Sequence, residues 1–253
     1  MEHQLYKIVL YLAGSINVIL AAVLLYNNLW FRNYDVYRRA RQMVALCYVI
    51  FAIGFFMHAY FEWRTSWPEG ASALSVSYFH AGGLLFGWSY ISLMRPDYLT
   101  RRVSARDLIV FVVGLISYWT TVLVPLAIYN LQFTIFFAHT AFIAYTLYHT
   151  YFTVRLDVMK QPTDVGAPSW WTPEAKRTVL SGQHAFMIAS HLIVLFGIGG
   201  IVVTAAFPTQ LAPFTLLMTL GIVVFCYIFY ALTEYGNAIE AATCVTEDIT
   251  YNK

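Results

Sequence analysis

Seven long apolar segments constrain this chain more than any other feature of its sequence. A helix that crosses a bilayer needs about 20 mostly apolar residues. Segments of that kind cover residues 5–29, 43–63, 74–94, 108–129, 131–154, 179–207 and 211–233. Only 11% of the 253 residues are charged, whereas soluble domains carry about 25%. The sequence therefore predicts an all-α, polytopic membrane protein built as a bundle of seven transmembrane helices.

The segments between and after these helices are short. Residues 155–178 form the longest predicted loop, which contains three prolines, and residues 234–253 form an acidic tail. Both are too short to fold as separate domains. We therefore expect residues 1–253 to form a single membrane domain.

The basic residues predict how this bundle is oriented. Twelve of the fifteen lie in the first, third and fifth loops. They are Arg32, Arg38, Arg39, Arg41, Arg95, Arg101, Arg102, Arg106, Arg155, Lys160, Lys176 and Arg177. Lys7 and Arg64 lie on the other side. Because Lys and Arg accumulate in cytoplasmic loops, the amino terminus is expected outside and the carboxyl terminus in the cytoplasm.

The acidic residues restrict the chemistry inside the membrane. Every Asp and Glu lies near a predicted helix end or in a loop, which disfavours a carboxylate-based ion pump. Ser104 and Asp107 are spaced as in a capping box and predict a helix start there. Residues 211–233 contain no Lys, so they offer no amine for a retinal Schiff base. A carrier of neutral solutes stays open.

Histidines near the outer ends of the helices form the first candidate site. His58, His80 and His139 are predicted at similar depths, and Glu62 follows His58 by four residues, on the same helix face. Two imidazoles and a carboxylate suit zinc or iron. The alternatives are a polar ligand pocket and histidines that only fix helix packing.

A second set of polar residues is predicted near the cytoplasmic side. His149 ends the fifth segment, and Gln183 and His184 begin the sixth. His191 follows His184 by seven residues and shares its face. Facing histidines on adjacent helices are compatible with axial haem ligation, although packing explains them equally. No cofactor is predicted, and zinc and haem are kept only as alternatives.

Two further groups complete the candidate residues. Arg64 and Trp67 follow the second segment and are expected at the rim of an outward pocket or in a solvated turn. Gly83 and Gly87 have the small-xxx-small spacing of close helix contacts, and Gly197 is expected to act in the same way.

Three stretches resemble a known family. They are Tyr37-Arg38-Arg39-Ala40-Arg41, the run from His58 to Arg64, and Ser77-Tyr78-Phe79. They are similar to the seven-helix sensor region of bacterial membrane-anchored regulators, where the helices precede a cytoplasmic AraC-type helix-turn-helix domain or a kinase domain. No such output domain lies within these 253 residues. The resemblance implies an outer pocket and an inner output, and no catalytic residue carries over.

These observations favour a sensor module without enzyme activity in a bacterial inner membrane. A histidine-dependent metal or haem enzyme is the alternative. A small neutral-solute transporter with a repeat of three helices around a linker helix is a further one. The expected partners are membrane lipids and a cytoplasmic regulatory protein; a homodimer is also considered, and direct binding of nucleic acid is not expected.

Overall fold

The described part of the chain is entirely helical. The computed structural model describes residues 2–26, 35–95, 98–123, 129–160 and 173–251, with side chains over 2–26, 37–95, 98–123, 133–153 and 184–237. The helices in these ranges are α1 (Glu2–Tyr26), α2 (Asp35–Phe61), α3 (Trp63–Ser66), α4 (Pro68–Met94), α5 (Arg101–Leu123), α6 (Tyr129–Lys160), α7 (Pro173–Ala206) and α8 (Leu211–Tyr251). The predicted all-α class is confirmed for these residues.

Five of the long helices are apolar enough to cross a bilayer. Within the described residues the spans are Glu2–Tyr26, Tyr37–Phe61, Arg101–Leu123, His184–Ala206 and Leu211–Asn237. The prediction of a membrane protein is therefore supported. α4 and α6 have the required length but are not among these five, because hydroxyl and imidazole side chains interrupt their apolar residues.

α4 is the central helix of the bundle. It packs against α2, α3, α5, α6 and α7, and nineteen of its 27 residues are buried. Ser75, Ser89, Ser92 and His80 are among these buried residues and therefore lie within the protein. A helix buried on most sides need not be apolar, since neighbouring helices satisfy its polar groups.

α5 lies at the periphery, in contrast to α4. Its buried residues are Asp107, Gly114 and Tyr118, while Ile109 and Ile116 are exposed by 64% and 62%. An exposed apolar surface of this kind is what a lipid-facing helix presents. α5 therefore turns one narrow polar stripe inward and its apolar remainder outward.

Aromatic side chains fill the space between α2, α4, α7 and α8. The Phe51 ring lies 5.0 Å from that of Phe225 and 5.3 Å from that of Tyr78, measured between centroids. Phe196 lies 5.5 Å from Phe79 and 5.3 Å from Phe225. Tilted and edge-on pairs at these distances are the favoured aromatic geometries. This cluster fixes the position of α4 against the other three helices.

The helices extend beyond several predicted limits. α5 begins at Arg101, and the Thr100 hydroxyl accepts a hydrogen bond from the Val103 backbone N–H at 3.3 Å. Ser104 and Asp107 therefore lie inside α5, and the predicted capping box is wrong. α6 continues to Lys160 and α7 begins at Pro173, so both ends of the predicted loop are helical; residues 161–172 lie outside the described residues. α8 continues through the predicted tail to Tyr251.

A tight turn joins α2 to α4 through α3. Glu62 adopts a left-handed conformation with φ of 52° and ψ of 30°. Among the described residues, Glu62 is the only one other than glycine that has a positive φ. The Glu62 carbonyl accepts from the Thr65 and Ser66 N–H groups, and α4 starts at once with Pro68 at its first turn. The turn carries the chain from the end of α2 into the central helix.

Candidate functional site

The centre of the candidate site is a pair of buried histidines. His80 on α4 and His139 on α6 are joined by a hydrogen bond of 2.7 Å between Nε2 of His80 and Nδ1 of His139. His80 is fully buried and His139 nearly so. The structure thus brings together two members of the predicted outer set, from two helices that are distant in sequence.

Tyr118 on α5 continues this pair into a chain of hydrogen bonds. Its hydroxyl lies 2.8 Å from His80 Nδ1. Gly114 permits this approach, because a Cβ there would lie 3.1 Å from the His80 ring and 2.9 Å from the Tyr118 hydroxyl. A larger residue at position 114 would push α5 away from His80.

Asp107 lies beside His139, at the end of this hydrogen-bonded series that is opposite Tyr118. Its Oδ1 is 3.9 Å from His139 Nε2, and the carboxylate is only 2% exposed. Asp107 Oδ1 also accepts from Arg106 Nε at 2.8 Å, and Oδ2 accepts from Trp88 Nε1 at 2.9 Å. We call these six residues the histidine network: His80, Trp88, Arg106, Asp107, Tyr118 and His139.

The charge of Asp107 favours one direction for the hydrogen bonds in this network, although 3.9 Å is too long for a hydrogen bond from His139 Nε2 itself. If Tyr118 donates to His80 Nδ1, His80 donates through Nε2 to His139, and His139 then presents an N–H to the carboxylate. The reverse order would place an imidazole lone pair opposite the carboxylate. The positions of the hydrogens are inferred from the whole network. We assign the first arrangement because it avoids the repulsion between the lone pair and the carboxylate.

The network links a buried hydroxyl to a charge that reaches the surface. Arg106 is 47% exposed at its side chain, and its guanidinium carbon lies 4.7 Å from the centroid of the Phe142 ring. Three helices therefore share one set of directional bonds. A shift of α4 relative to α5 or α6 has to break or exchange at least one of them.

A second polar region consists of His58, Arg64, Ser72 and Ser75, and we call it the outer cluster after the predicted orientation. Arg64 donates to Ser75 Oγ at 2.8 Å, and His58 Nε2 lies 3.1 Å from the same oxygen. Arg64 is 1% exposed, so the predicted position at a pocket rim is wrong for this residue. Trp67 is 37% exposed and packs edge-on against Trp63.

The positive charge of the Arg64 guanidinium is stabilised by neutral groups. Its guanidinium lies 3.7 Å from the centroid of the Phe214 ring, and NH1 makes longer bonds of 3.3 Å to Ser72 Oγ and 3.4 Å to the Pro208 carbonyl. None of the ion pairs found among the described residues includes it. Burial lowers the pKa of Arg64, and the neighbouring Tyr6 opposes this effect.

Glu62 does not join the histidines. It pairs with Lys7 at 2.6 Å and with His3 at 3.3 Å, both on α1. α2 ends at Phe61, so the helical four-residue spacing from His58 no longer applies at Glu62. Within the described ranges, no three His, Cys, Asp or Glu side chains lie close enough together to hold a metal ion. The predicted four-residue set is thus divided among three places.

The predicted inner set is also dispersed. His149 and His184 are exposed, and the Gln183 side chain lies outside the described side chains. His191 bonds to the Met187 carbonyl of its own helix at 2.7 Å, and its ring lies 5.0 Å from Tyr148. The arrangement gives no pair of facing imidazoles for a haem.

The glycines play different roles from one another. A Cβ at Gly87 would overlap Ile143 of α6, so this position lies at a close helix contact. At Gly83 the nearest atom would be Thr140 Oγ1 at 4.0 Å, and at Gly197 no atom would lie within 4 Å. Gly197 therefore borders empty space instead of packing against a neighbouring helix as predicted.

A cavity of about 220 Å³ lies beside the outer cluster. It is bordered by the start of α4, the ends of α5 and α7, and the start of α6. Pro68, Glu69 and Ser72 of α4 line it. We call it the outer cavity; Ser72 and Pro208 separate it from Arg64.

Asp107, Tyr118 and Trp88 are the functional candidates that sequence reasoning missed. Asp107 was interpreted as a helix cap, and the two aromatic residues have no motif. One signal was present: Asp107, Gly114 and Tyr118 recur at helical spacing along one face of α5.

Comparisons with protein-family models, with curated proteins and with solved structures each gave no match.

Proposed function

We propose that this chain is a sensor module of a bacterial inner membrane, which transmits a signal from the outer side to a cytoplasmic regulatory partner. In this proposal all seven long helices cross the bilayer, with the amino terminus outside and the carboxyl terminus inside. The main support for this proposal is that α4 contributes to both the outer cavity and the histidine network. Pro68, Glu69 and Ser72 of α4 line the cavity, and His80 and Trp88 of α4 belong to the network.

The lining of the outer cavity favours a small ligand that donates hydrogen bonds. The Ser72, Thr121 and Thr204 hydroxyls donate to the carbonyls of Pro68, Tyr118 and Gly200. Toward the cavity these hydroxyls therefore act as hydrogen-bond acceptors, and Glu69 adds a carboxylate to the lining. A polyol or a small amine matches this lining better than an anion does.

The signal would pass along α4. A ligand shifts an equilibrium only by its different affinity for two states, so the two states must differ at the cavity. A displacement of α4 changes its bonds to His139 and Asp107, and Asp107 is tied to Arg106 near the start of α5. The proposed cytoplasmic output consists of this basic helix start and the extended α8.

Spin-label distance measurements test the transmission step. One label replaces Arg102 on α5 and another replaces Thr250 near the end of α8, in full-length protein in nanodiscs. Thr209→Trp fills the outer cavity, and Thr219→Trp on the exposed face of α8 is the matched control. We expect Thr209→Trp, or millimolar glycerol or ethanolamine, to shift the distance distribution. An unchanged distribution in all three conditions contradicts the proposal.

The orientation is tested separately by labelling single cysteines from each side of the membrane. Cysteines at positions 2 and 250, in a background without the three native cysteines, are expected to react from opposite faces. Reaction of both from one common face would remove the proposed direction of signalling.

A further inference from the structure

A second cavity lies deeper in the bundle, between α4, α6, α7 and α8. Its volume is about 50 Å³. Seven aromatic side chains line it, and the residues around it include no charged side chain. Along α4 the lining runs from Phe79 to Tyr90, about 16 Å at 1.5 Å per residue. The cavity is therefore narrow, elongated and mostly apolar.

Two hydroxyls in its lining have no hydrogen-bond partner among the described residues. They are the Tyr90 hydroxyl and Thr140 Oγ1. Tyr90 is 1% exposed, and a buried hydroxyl without a partner destabilises the folded state. Buried polar groups are nearly always satisfied, so these two oxygens point to a group that occupies the cavity beside them.

The free space lies between α4 and α7. Additional atoms at Gly82 and Gly87 would meet Phe51 and Ile143, so those positions are already filled. Gly197 has no atom within 4 Å of an added Cβ, and Gly83 has only Thr140 Oγ1 at 4.0 Å. A bound molecule would therefore lie against Gly83 on one side and Gly197 on the other.

The cavity opens sideways, toward the surface that faces lipid. Thr140, Ala144, Val194 and Gly197 line it and are each partly exposed. The adjoining Leu195 is 64% exposed, as expected of a lipid-facing residue. α6 and α7 make few contacts with each other compared with the other neighbouring pairs. Entry from the bilayer, between α6 and α7, is thus the direct route.

These observations exclude two simpler occupants. Water needs two to four polar partners, whereas the lining residues of α4 from Phe79 to Phe86 are only phenylalanine and glycine. A carboxylate or phosphate would be buried without a cation. The remaining match is a neutral, slender, apolar molecule with one oxygen that accepts a hydrogen bond.

We propose that this cavity binds one chain of a neutral lipid, such as a long-chain alcohol, with its oxygen at Tyr90. On the proposed orientation Tyr90 lies four residues from the inner end of α4, near the level where lipid oxygens are found. Because about 50 Å³ holds only a few heavy atoms, the oxygen-bearing end of the chain lies in the cavity, and the rest of the chain passes Gly83 and Gly197 in the opening between α6 and α7. This site does not depend on the proposed signalling role.

Photo-cross-linking of full-length protein in nanodiscs tests the site. The probe is hexadecanol that carries a diazirine in its chain, and the labelled peptides are identified by mass spectrometry. Labelling is expected on the lining segments of α4, α6 and α7. The corresponding palmitate, which differs by its negative charge, is expected to label these segments at least fivefold less.

Matched variants separate binding from folding. Gly197→Leu fills the cavity and is expected to reduce labelling about tenfold, whereas Val202→Phe, at an exposed position of α7 outside the lining, leaves it unchanged. Tyr90→Phe removes one hydrogen bond and is expected to reduce labelling about fivefold. Tyr37→Phe is its control, because the Tyr37 hydroxyl donates to the Leu232 carbonyl at 2.7 Å and neither residue lines the cavity.

Stability measurements complete the design. Without probe, Tyr90→Phe is expected to leave the unfolding temperature unchanged or higher, while Tyr37→Phe lowers it. If Gly197→Leu fails to fold, Gly197→Ala replaces it, with a smaller reduction in labelling expected. Labelling that is insensitive to both Gly197 and Tyr90 variants, equal labelling by palmitate, or labels confined to other segments would each overturn the proposal.

Discussion

The outer cluster and the histidine network each contain a buried charge, but they balance it differently. Asp107 has a charged partner, Arg106, which is half-exposed, and a neutral donor, Trp88. Arg64 has serine hydroxyls, a backbone carbonyl and the face of Phe214. The network therefore depends on one specific partner, whereas the outer cluster distributes its charge over several neutral groups.

This difference predicts which region tolerates substitution. Removing the partner of a buried charge leaves that charge uncompensated, which is strongly destabilising. Removing a buried charge that has only neutral partners also removes its cost of burial. The histidine network should therefore be more sensitive to substitution than the outer cluster. Its charged pair, Arg106 and Asp107, is adjacent in sequence.

The largest effect is expected for Arg106→Gln. It leaves Asp107 buried with the Trp88 N–H as its remaining strong donor. Breaking a buried pair costs about 3–5 kcal/mol; because Arg106 is half-exposed, we expect about 2 kcal/mol of unfolding free energy. Unfolding by SDS titration in mixed micelles measures it. Arg102→Gln, at an exposed position of the same helix, is the control and should change little.

The next effect is expected for Tyr118→Phe. This variant removes the hydrogen bond to His80 Nδ1 and should cost about 1 kcal/mol. Nitrogen NMR of the imidazole rings gives a sharper readout. In the wild type both His80 and His139 should carry their proton on Nε2, and Tyr118→Phe should change the His80 signals. Protons on Nδ1 of both rings would show that the direction of the network is reversed.

A smaller effect is expected for Arg64→Met. Methionine retains much of the side-chain volume, while Ser75 keeps His58 and Tyr78 as hydrogen-bond partners. We expect a loss below about 1 kcal/mol, measured in the same SDS titration. A loss equal to that of Arg106→Gln would mean that neutral groups balance a buried charge as specifically as an ion pair does.

The smallest effect is expected at the exposed pair of Glu62 and Lys7, which lies outside both regions. The hydrogen bond from Lys7 lowers the pKa of Glu62 below its ordinary value of 4.5. Its contribution to stability is therefore present above pH 4.5 and is lost as the pH falls through the lowered pKa. The difference in unfolding temperature between wild type and Glu62→Gln should decrease as the pH falls from 7 to 3. A constant difference from pH 7 to pH 3 would exclude this origin.

The overall class of the fold followed from the sequence because length and apolarity decide it. Helix ends were less accurate. α5 begins seven residues before its predicted start at residue 108, because basic and polar residues such as Arg101 and Ser104 form helix as readily as apolar ones. Apolarity marks the part of a helix that suits lipid, and the helix itself continues into water.

The candidate site was only partly predictable. His80 and His139 were expected to lie near each other, because depth along a helix can be counted from its ends. Their partners could not be counted in this way, since the rotation of α5 about its axis decides whether Asp107 and Tyr118 face α4. His58 and Glu62 were separated by the left-handed conformation at Glu62, which no local motif announces.

The burial of α4 has a consequence for how this protein is made. A segment leaves the translocation channel for lipid by itself only when its insertion free energy is favourable. α4 carries Ser75, Ser89 and His80, whose hydrogen-bond partners lie on α2, α3, α5 and α6. If α4 crosses the bilayer, as we propose, its stable insertion should therefore require the later helices α5 and α6 in addition to α2. Truncated nascent chains ending after α4 should integrate poorly, and adding α5 and α6 should restore integration.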